Sequence, residues 1–480
     1  MGTQKSVNIR LKAGEKITSL QDLRRWQASV SGDKMLLGSA SNHEVVKKDT
    51  ALYSDDDLYT RERVYLPYEG MAAVNLAIGP MGSGKTNLLN SIIYSRPEAN
   101  MIIHDRKGEY NVSFYDPEKD IIVAYPDKWS VIWDVFAEIK KDRQIGELIW
   151  RNMLLSVRGG DDNKEGEEWV TYAVSWLMKL AGRIIDGNVA LVDIPVEIVR
   201  LFKEFKADVG TQQTGMQSDA LGTASPVFNL LFQMYNIGVR DDRYFVTVTD
   251  MTKVRRVFIC NSKQFSAQLD IVNNALLACL VNHYLSRPNI PREQTDRYSY
   301  FILDEFLTFK LDKESETALL TLCRSKGVSV WLGMQHLPDD KKRTTTITAS
   351  RYMTAVFRLD DKHTRDEIEA LTDDVEYQRH ESTLSLGDTG SLVSLTGGLT
   401  MNEALVDLKT KQVSKAVLAD LTPYVAYVEV KDLVGRYRTF VLPPYVSTIK
   451  NPCRLDESTD EEGFLYSDAA RFCKRIEEVI

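Results

Sequence analysis

Three short apolar runs stand out in the first third of the chain: "MAAVNLAI" (71–78), "NMII" within "ANMIIHDRKGEY" (99–110), and "DIIVAYP" (120–126). The first ends in a glycine-rich turn, the second at Asp105 and the third at Pro126. Apolar runs of this length, rich in β-branched residues and bounded by turn signals, predict buried parallel strands. From about 144 to 242 the pattern changes, and apolar positions recur at three-and-four spacing in "GELIWRNMLLSV", "EEWVTYAVSWLMKLAGRII" and "DIPVEIVRLFKEFKADV", followed by "SPVFNLLFQMYNIG". That period predicts a block of helices with no strand between them. Strand signals return in "RYFVTVTD" and "RRVFICNS", then a helix at "AQLDIVNNALLACLVNHYL". Three more strands are predicted at "YSYFILDEF" (298–306), "VSVWLGMQ" (328–335) and "RYMTAVFRL" (351–359). "GDTGSLVSLTGG" reads as a low-complexity loop, and "PYVAYVEVKDLVGRYRTFVLPPY" as a hairpin turning at "DLVG".

The expected fold class is α/β. Strands from both ends of the chain build a mostly parallel central sheet, and an all-α domain is inserted between them. The boundaries are 71–143 and 243–446 for the split nucleotide-binding domain, 144–242 for the insertion, and 447–480 for a C-terminal tail ending in an amphipathic piece. Residues 1–70 read as an irregular or small α/β lead-in, with no apolar run long enough to cross a membrane. A hundred-residue insertion between pairing strands costs little extra loop entropy.

Composition narrows the function classes. A chain of 480 residues, 43% hydrophobic, can bury a core without disulfide or metal staples. Its five cysteines (Cys260, Cys279, Cys323, Cys453, Cys473) are scattered without metal-ligand spacing, and read as reduced thiols of a cytoplasmic protein. A formal net charge of -8 argues against coating nucleic acid with the whole surface, but leaves room for a basic channel. The inserted block carries more acidic than basic residues, so its outer face is no obvious DNA patch. "MGTQKS" contains the bare myristoylation pattern, and reads here as a plain start.

"AIGPMGSGKTNLLNSII" (77–93) fits GxxxxGK[ST] in full. An apolar strand precedes it and an apolar helix follows. Gly79, Gly82 and Gly84 let the backbone turn N–H groups toward phosphate oxygens. The loop residues Gly79, Pro80, Met81, Gly82, Ser83 and Gly84, with Lys85, Thr86 and Asn87, would surround the phosphates of ATP. Lys85 would reach the β- and γ-phosphates, and Thr86 would place its hydroxyl on Mg²⁺. "SYFILDEF" ends a strand in two acids: Asp304 would hold Mg²⁺, and Glu305 would polarise the attacking water. Gln335 ends the next strand, where an amide could sense the γ-phosphate or hold the water, or simply bond to backbone. Spacing alone makes Arg324, in "LCRSKG", a solvated surface cation.

With "AIGPMGSGKTN", "IIHDRKGEY", "IIVAYPDKWSVIWDVFAEI", "YFVTVTD", "YFILDEF", "LCRSKGVSVWLGMQ" and "VAYVEVKDLVGRYRTFVLPPY" in this order, the chain resembles the coupling proteins of type IV secretion systems, the TraD/TraG-like group within the FtsK/HerA class. The resemblance covers about residues 70–446, and "HDRKGEY" and "WDVFAEI" are its sharper signals. It implies a RecA-like motor domain, a homohexameric ring driven by ATP, DNA as cargo, and delivery of a relaxase-bound strand to the secretion channel. The helical insertion would help admit substrate at the ring's mouth. By the same resemblance Arg324 becomes a finger reaching the neighbouring subunit's nucleotide, Asp105 sits beside the phosphate loop, and Lys107 faces nucleotide or channel. Lys253, Arg255 and Arg256 are candidate DNA contacts, with a solvated strand edge as the alternative. The group carries N-terminal membrane helices that this sequence lacks; a soluble branch, a truncated chain or a separate membrane-anchor subunit would each account for that. The expected location is cytoplasmic, with peripheral attachment to the inner membrane through partners. Two other readings stay open: a HerA-like helicase or DNA-packaging ATPase without a secretion partner, and a nucleotide-gated adaptor that moves no DNA.

Overall fold

The computed structural model describes residues 5–13, 24, 25, 28, 33–41, 59–125, 127, 129–157, 167–211, 215–261, 266–372, 374–386, 399–411, 413–431 and 436–443. Its strands are β1 (Lys5–Ala13), β2 (Lys34–Ser41), β3 (Tyr59–Pro67), β4 (Val74–Ile78), β5 (Asn100–Asp105), β6 (Asp120–Val123), β7 (Ser130–Trp133) and β8 (Phe245–Val246). They continue with β9 (Arg256–Cys260), β10 (Ser299–Leu303), β11 (Val328–Met334), β12 (Arg351–Val356), β13 (Asp374–Leu386), β14 (Leu399–Lys411), β15 (Ala426–Lys431) and β16 (Arg436–Leu442).

Among the described residues a 13-stranded sheet runs in the order β3-β2-β16-β15-β12-β4-β11-β10-β5-β9-β6-β7-β8. From β12 to β8 each pairing is parallel. From β12 outward through β15, β16, β2 and β3 each is antiparallel. The parallel strands are buried on both faces. Along β10, Phe301 and Leu303 enter one core, while Tyr300 and Ile302 enter the other. This two-sided burial is why their sequences read as continuous apolar runs instead of alternating ones.

The helices Gln144–Val157, Glu167–Asp186, Ile194–Thr211 and Gly215–Arg240 fill the chain between β7 and β8. Their interior is aromatic: Phe202 stacks on Phe228 at 5.0 Å, and Trp176 lies 5.1 Å from Phe205. The first of the four packs on helix Ser266–Ser286, which ties the helical block to the sheet.

Two expectations change. The lead-in contributes β2 and β3 to the edge of the main sheet, and β1 pairs with β13 in a separate three-stranded sheet completed by β14. These strands escaped the sequence reading because segments such as "EYQRHESTLSL" carry polar residues on both alternating faces. "RYFVTVTD" is strand only at Phe245–Val246; Thr247 and Asp250 then form a capping box that starts the short helix Val248–Met251. The "GDTGSLVSLTGG" loop, the "DLVG" turn and the C-terminal tail lie outside the described residues. No helix among the described residues is long and apolar enough to cross a membrane.

The three basic residues weighed as DNA contacts are engaged within the protein. Arg255 forks onto buried Asp120, with Nε and Nη2 each donating at 2.8 Å. Arg256 donates to the carbonyls of Phe114 and Pro97, both at 3.0 Å. Lys253 lies 3.7 Å from Asp250. These contacts clamp β9 to β6 and its flanking loops. Arg255→Ala leaves the Asp120 carboxylate buried without its partner, which should destabilise the protein by about 3 kcal/mol. A lowered urea midpoint with unchanged DNA affinity of the folded protein is the expected result; weakened DNA binding at full stability would return Arg255 to the DNA surface.

Candidate active site

Strand β4 is the local cause of the site. It lies between β11 and β12 in parallel register, with Ile78 beside both Met334 and Val356. The loop that follows is pinned on both sides: Gly79 N–H donates to the Met334 carbonyl at 3.0 Å, and Phe357 N–H donates to the Ile78 carbonyl at 2.8 Å. Gly82 and Gly84 adopt φ of 75° and 118°, in the left-handed region that side chains resist. Gly84 has a second reason to be glycine, since an added Cβ would sit 2.9 Å from the Phe357 ring.

Helix Lys85–Ser95 begins at Gly84 with no side-chain cap and no acid in its first turn, so its positive amino end faces the loop without a carboxylate of its own. Within the loop the Ser83 hydroxyl is buried without a hydrogen-bond partner. Lys85 folds its ammonium onto the carbonyls of Gly79 and Pro80. Its pKa is lowered by burial and by the nearby charge of Lys107, against the pull of Asp304 and Glu305. An uncapped helix start, an orphaned hydroxyl and a lysine bound to carbonyls fit a phosphate chain.

Two strands away β10 delivers the acids. Asp304 Oδ2 accepts from the Tyr110 hydroxyl at 2.9 Å, and its Oδ1 from the Glu305 N–H at 3.0 Å. Gly333 on β11 makes room for it; a Cβ there would lie 2.4 Å from Asp304 Oδ1. Glu305 sits at φ 56°, a strained value for a residue with a side chain. The turn is braced by buried His104, whose Nδ1 lies 3.0 Å from the Asp304 carbonyl. Burial pushes that imidazole down to about 4, so it stays neutral and donates to the carbonyl.

The Glu305 carboxylate meets the Lys107 ammonium at 2.8 Å and accepts from the Gln335 amide at 3.4 Å. Burial works to raise its pKa, but the hydrogen bond and charge of Lys107, with Arg106 and Gln335, outweigh it and hold the group below the ordinary glutamate value. The site therefore holds an ionised carboxylate beside a cationic loop, as a general base requires.

Of the residues singled out from sequence, the loop from Gly79 to Asn87, Asp304, Glu305, Gln335 and Lys107 lie along the carboxyl edge of β4, β11, β10 and β5. Asp105 does not sit beside the loop. It ends β5, with β11 and β10 between it and β4, roughly 14 Å away by strand spacing. There it accepts from Asn111 N–H at 2.6 Å at the start of helix Glu109–Phe114. Burial raises its pKa to about 6, which its three backbone hydrogen bonds only partly offset. Arg324 precedes β11, at the opposite edge of the sheet, and the length of that strand puts it about 20 Å from its own chain's loop. Tyr110, His104 and Gly333 were missed. The first two lie in the "HDRKGEY" neighbourhood, but their contacts with Asp304 span about 200 residues of sequence, which no local pattern encodes.

A family model for the DNA-binding domain of type IV secretion-system coupling proteins matches residues 63–407. No curated protein matches the chain by sequence. Among solved structures, the unbound bacterial conjugative coupling protein TrwBΔN70 aligns with a TM-score of 0.62 at 20% identity, covering 92% of this chain and 95% of that one. TrwB in complex with the non-hydrolysable ATP analogue ADPNP aligns with a TM-score of 0.63 at 19% identity, covering 92% and 96%. TrwB with ADP and Mg²⁺ gives 0.58 at 19% identity, covering 88% and 96%. At these identities the likeness establishes the fold, a RecA-like P-loop domain carrying an all-α domain. The family match spans well over half of the sequence, and the chain belongs to the type IV secretion-system coupling proteins.

Proposed function

We propose that the protein hydrolyses ATP with Mg²⁺ to move DNA through a homohexameric ring, and that it passes a relaxase-bound strand to a type IV secretion channel. The observation that carries the reading is the ionised Glu305, held by Lys107 and Gln335 on the same sheet edge as the Lys85 loop. Lys85 leaves its carbonyls for the β- and γ-phosphates, while loop and helix N–H groups hold the remaining phosphate oxygens. Thr86 and Asp304 are the residues to hold Mg²⁺, with Tyr110 fixing the carboxylate of Asp304. When bound, Mg²⁺ supplies charge neutralisation on the β- and γ-phosphates. Glu305 accepts a proton from the attacking water as the bond between the γ-phosphorus and the ADP oxygen breaks, and Gln335 orients that water. TrwB structures with ADPNP and with ADP and Mg²⁺ support this choice of ligands.

The split nucleotide-binding domain (71–143, 243–446) and the helical domain (144–242) are the two working parts in this proposal. Attachment to the cytoplasmic face of the inner membrane would run through a partner subunit. A HerA-like helicase or packaging ATPase would share the whole site, and an adaptor would share the cradle without the motor.

Lys85→Ala should cut turnover by at least about a hundredfold; undiminished hydrolysis removes the cradle assignment. Wild-type turnover should rise with DNA, and the stimulation should fade steeply with salt as phosphate contacts are lost. Indifference to DNA across the salt series would favour the adaptor.

Lys107→Met removes the cation that keeps Glu305 ionised, so the acidic limb of the kcat profile should move to higher pH. An unmoved limb would mean that another group sets it.

Arg324→Ala subunits mixed with active ones should poison turnover out of proportion to their fraction if the finger acts between subunits. A linear fall with the mutant fraction counts against that role.

A further inference from the structure

The γ-phosphate end of the cradle is marked by Asp304, Glu305 and Gln335, all on the β10–β11 side of β4. A nucleotide with its terminal phosphate there carries its base toward the other side, where β12 and β15 lie. On that side the turn leading into β15 brings Tyr424 against the loop. Its N–H donates to the Ser83 carbonyl at 3.1 Å, and a Cβ added to Gly84 would sit 3.0 Å from its Cα and 3.2 Å from its ring. Phe357 fills the floor beneath and is fully buried.

Tyr424 has φ 67°, a conformation that glycine adopts freely and an aromatic residue resists. Buried neighbours hold it there: Val425 closes a turn onto Thr422, and Ala426 begins a strand in the core. Yet Tyr424 as a residue is 51% exposed, so it adds little to the core. A bulky ring kept at a strained position, pressed on the phosphate loop and left half open, is poorly explained by packing and well explained by a flat ligand.

We propose that Tyr424 is a stacking platform for the purine base of the nucleotide bound in the cradle. The proposal rests on the cradle reading above. Its chemistry is the contact of two π faces, available to a base and absent from inorganic phosphate chains.

The test compares Mg-ATP with Mg-tripolyphosphate by calorimetry on the full chain, as wild type, Tyr424→Gly and Tyr424→Phe. Glycine relieves the left-handed strain, so the fold should survive with its thermal midpoint no lower than wild type. The expected result is about tenfold weaker ATP binding for Tyr424→Gly, with tripolyphosphate binding unchanged and Tyr424→Phe close to wild type. ATP binding undiminished in Tyr424→Gly overturns the platform. So does equal loss of both ligands, which would make the tyrosine a prop for the loop, or a loss in Tyr424→Phe as large as in Tyr424→Gly, which would assign the contact to the hydroxyl. A wild-type chain that binds neither ligand removes the cradle reading itself, and the platform with it.

Discussion

The parallel pairing of β4 with β11, and of β11 with β10, is the constraint on which everything else depends. Parallel strands all end at the same edge of a sheet, and only there can their carboxyl-terminal loops meet. Residues 79–87, 304–305 and 335 come from three separate parts of the chain, and the register brings them together. Gly79 N–H bonding to the Met334 carbonyl extends that register one residue past the strand, so the start of the phosphate loop is itself a continuation of the sheet. A slip of one residue would turn Asp304 to the opposite face.

On that frame the site carries one more cation than it has carboxylates. Three cations (Lys85, Lys107, Arg106) face two carboxylates (Asp304, Glu305), and the partial burial of the group makes each charge depend on the others. Lys107 is the pivot: it helps lower the pKa of Lys85 and holds that of Glu305 down, so in the proposed reaction one ammonium would act on both the phosphate side and the water side. In the proposed reaction a polyanion arriving at Lys85 would change the field on Lys107 as well, and so link nucleotide occupancy to Glu305. The strained φ of Glu305 fits this role, because a residue held at a sparsely populated angle by its neighbours responds when one neighbour changes.

Much of this arrangement was legible in the sequence. The phosphate loop, the acid pair and the strand-end glutamine each sit next to an apolar run whose strand character was plain, so local pattern and chemistry agreed. Lys107 was named with its neighbourhood, though its partner Glu305 lies about 200 residues on and could not be read from spacing. Asp105 shows the limit of position within a motif: its strand was right, but β10 and β11 intervene between it and the loop, and strand order is a long-range fact. Arg255 shows the limit of charge counting, since an exposed-looking cation became the clamp of a buried carboxylate. Polar strands such as β13 and β14 were invisible because their two faces do not differ in composition.

Arg324 completes the logic from the opposite edge. Its Nε and Nη2 are buried without hydrogen-bond partners, and its guanidinium rests 6.0 Å from the Tyr352 ring. Leaving that seat sacrifices a ring contact and no hydrogen bond from those two nitrogens, so the cation is cheap to recruit. It stands too far from its own loop to serve it. An arginine at one edge of the sheet and a phosphate cradle at the other are complementary features on opposite ends of one molecule. Contacts of that kind are head-to-tail, and head-to-tail contacts generate rings when the rotation closes. In the proposed hexamer each subunit's far-edge cation would find an anion on its neighbour.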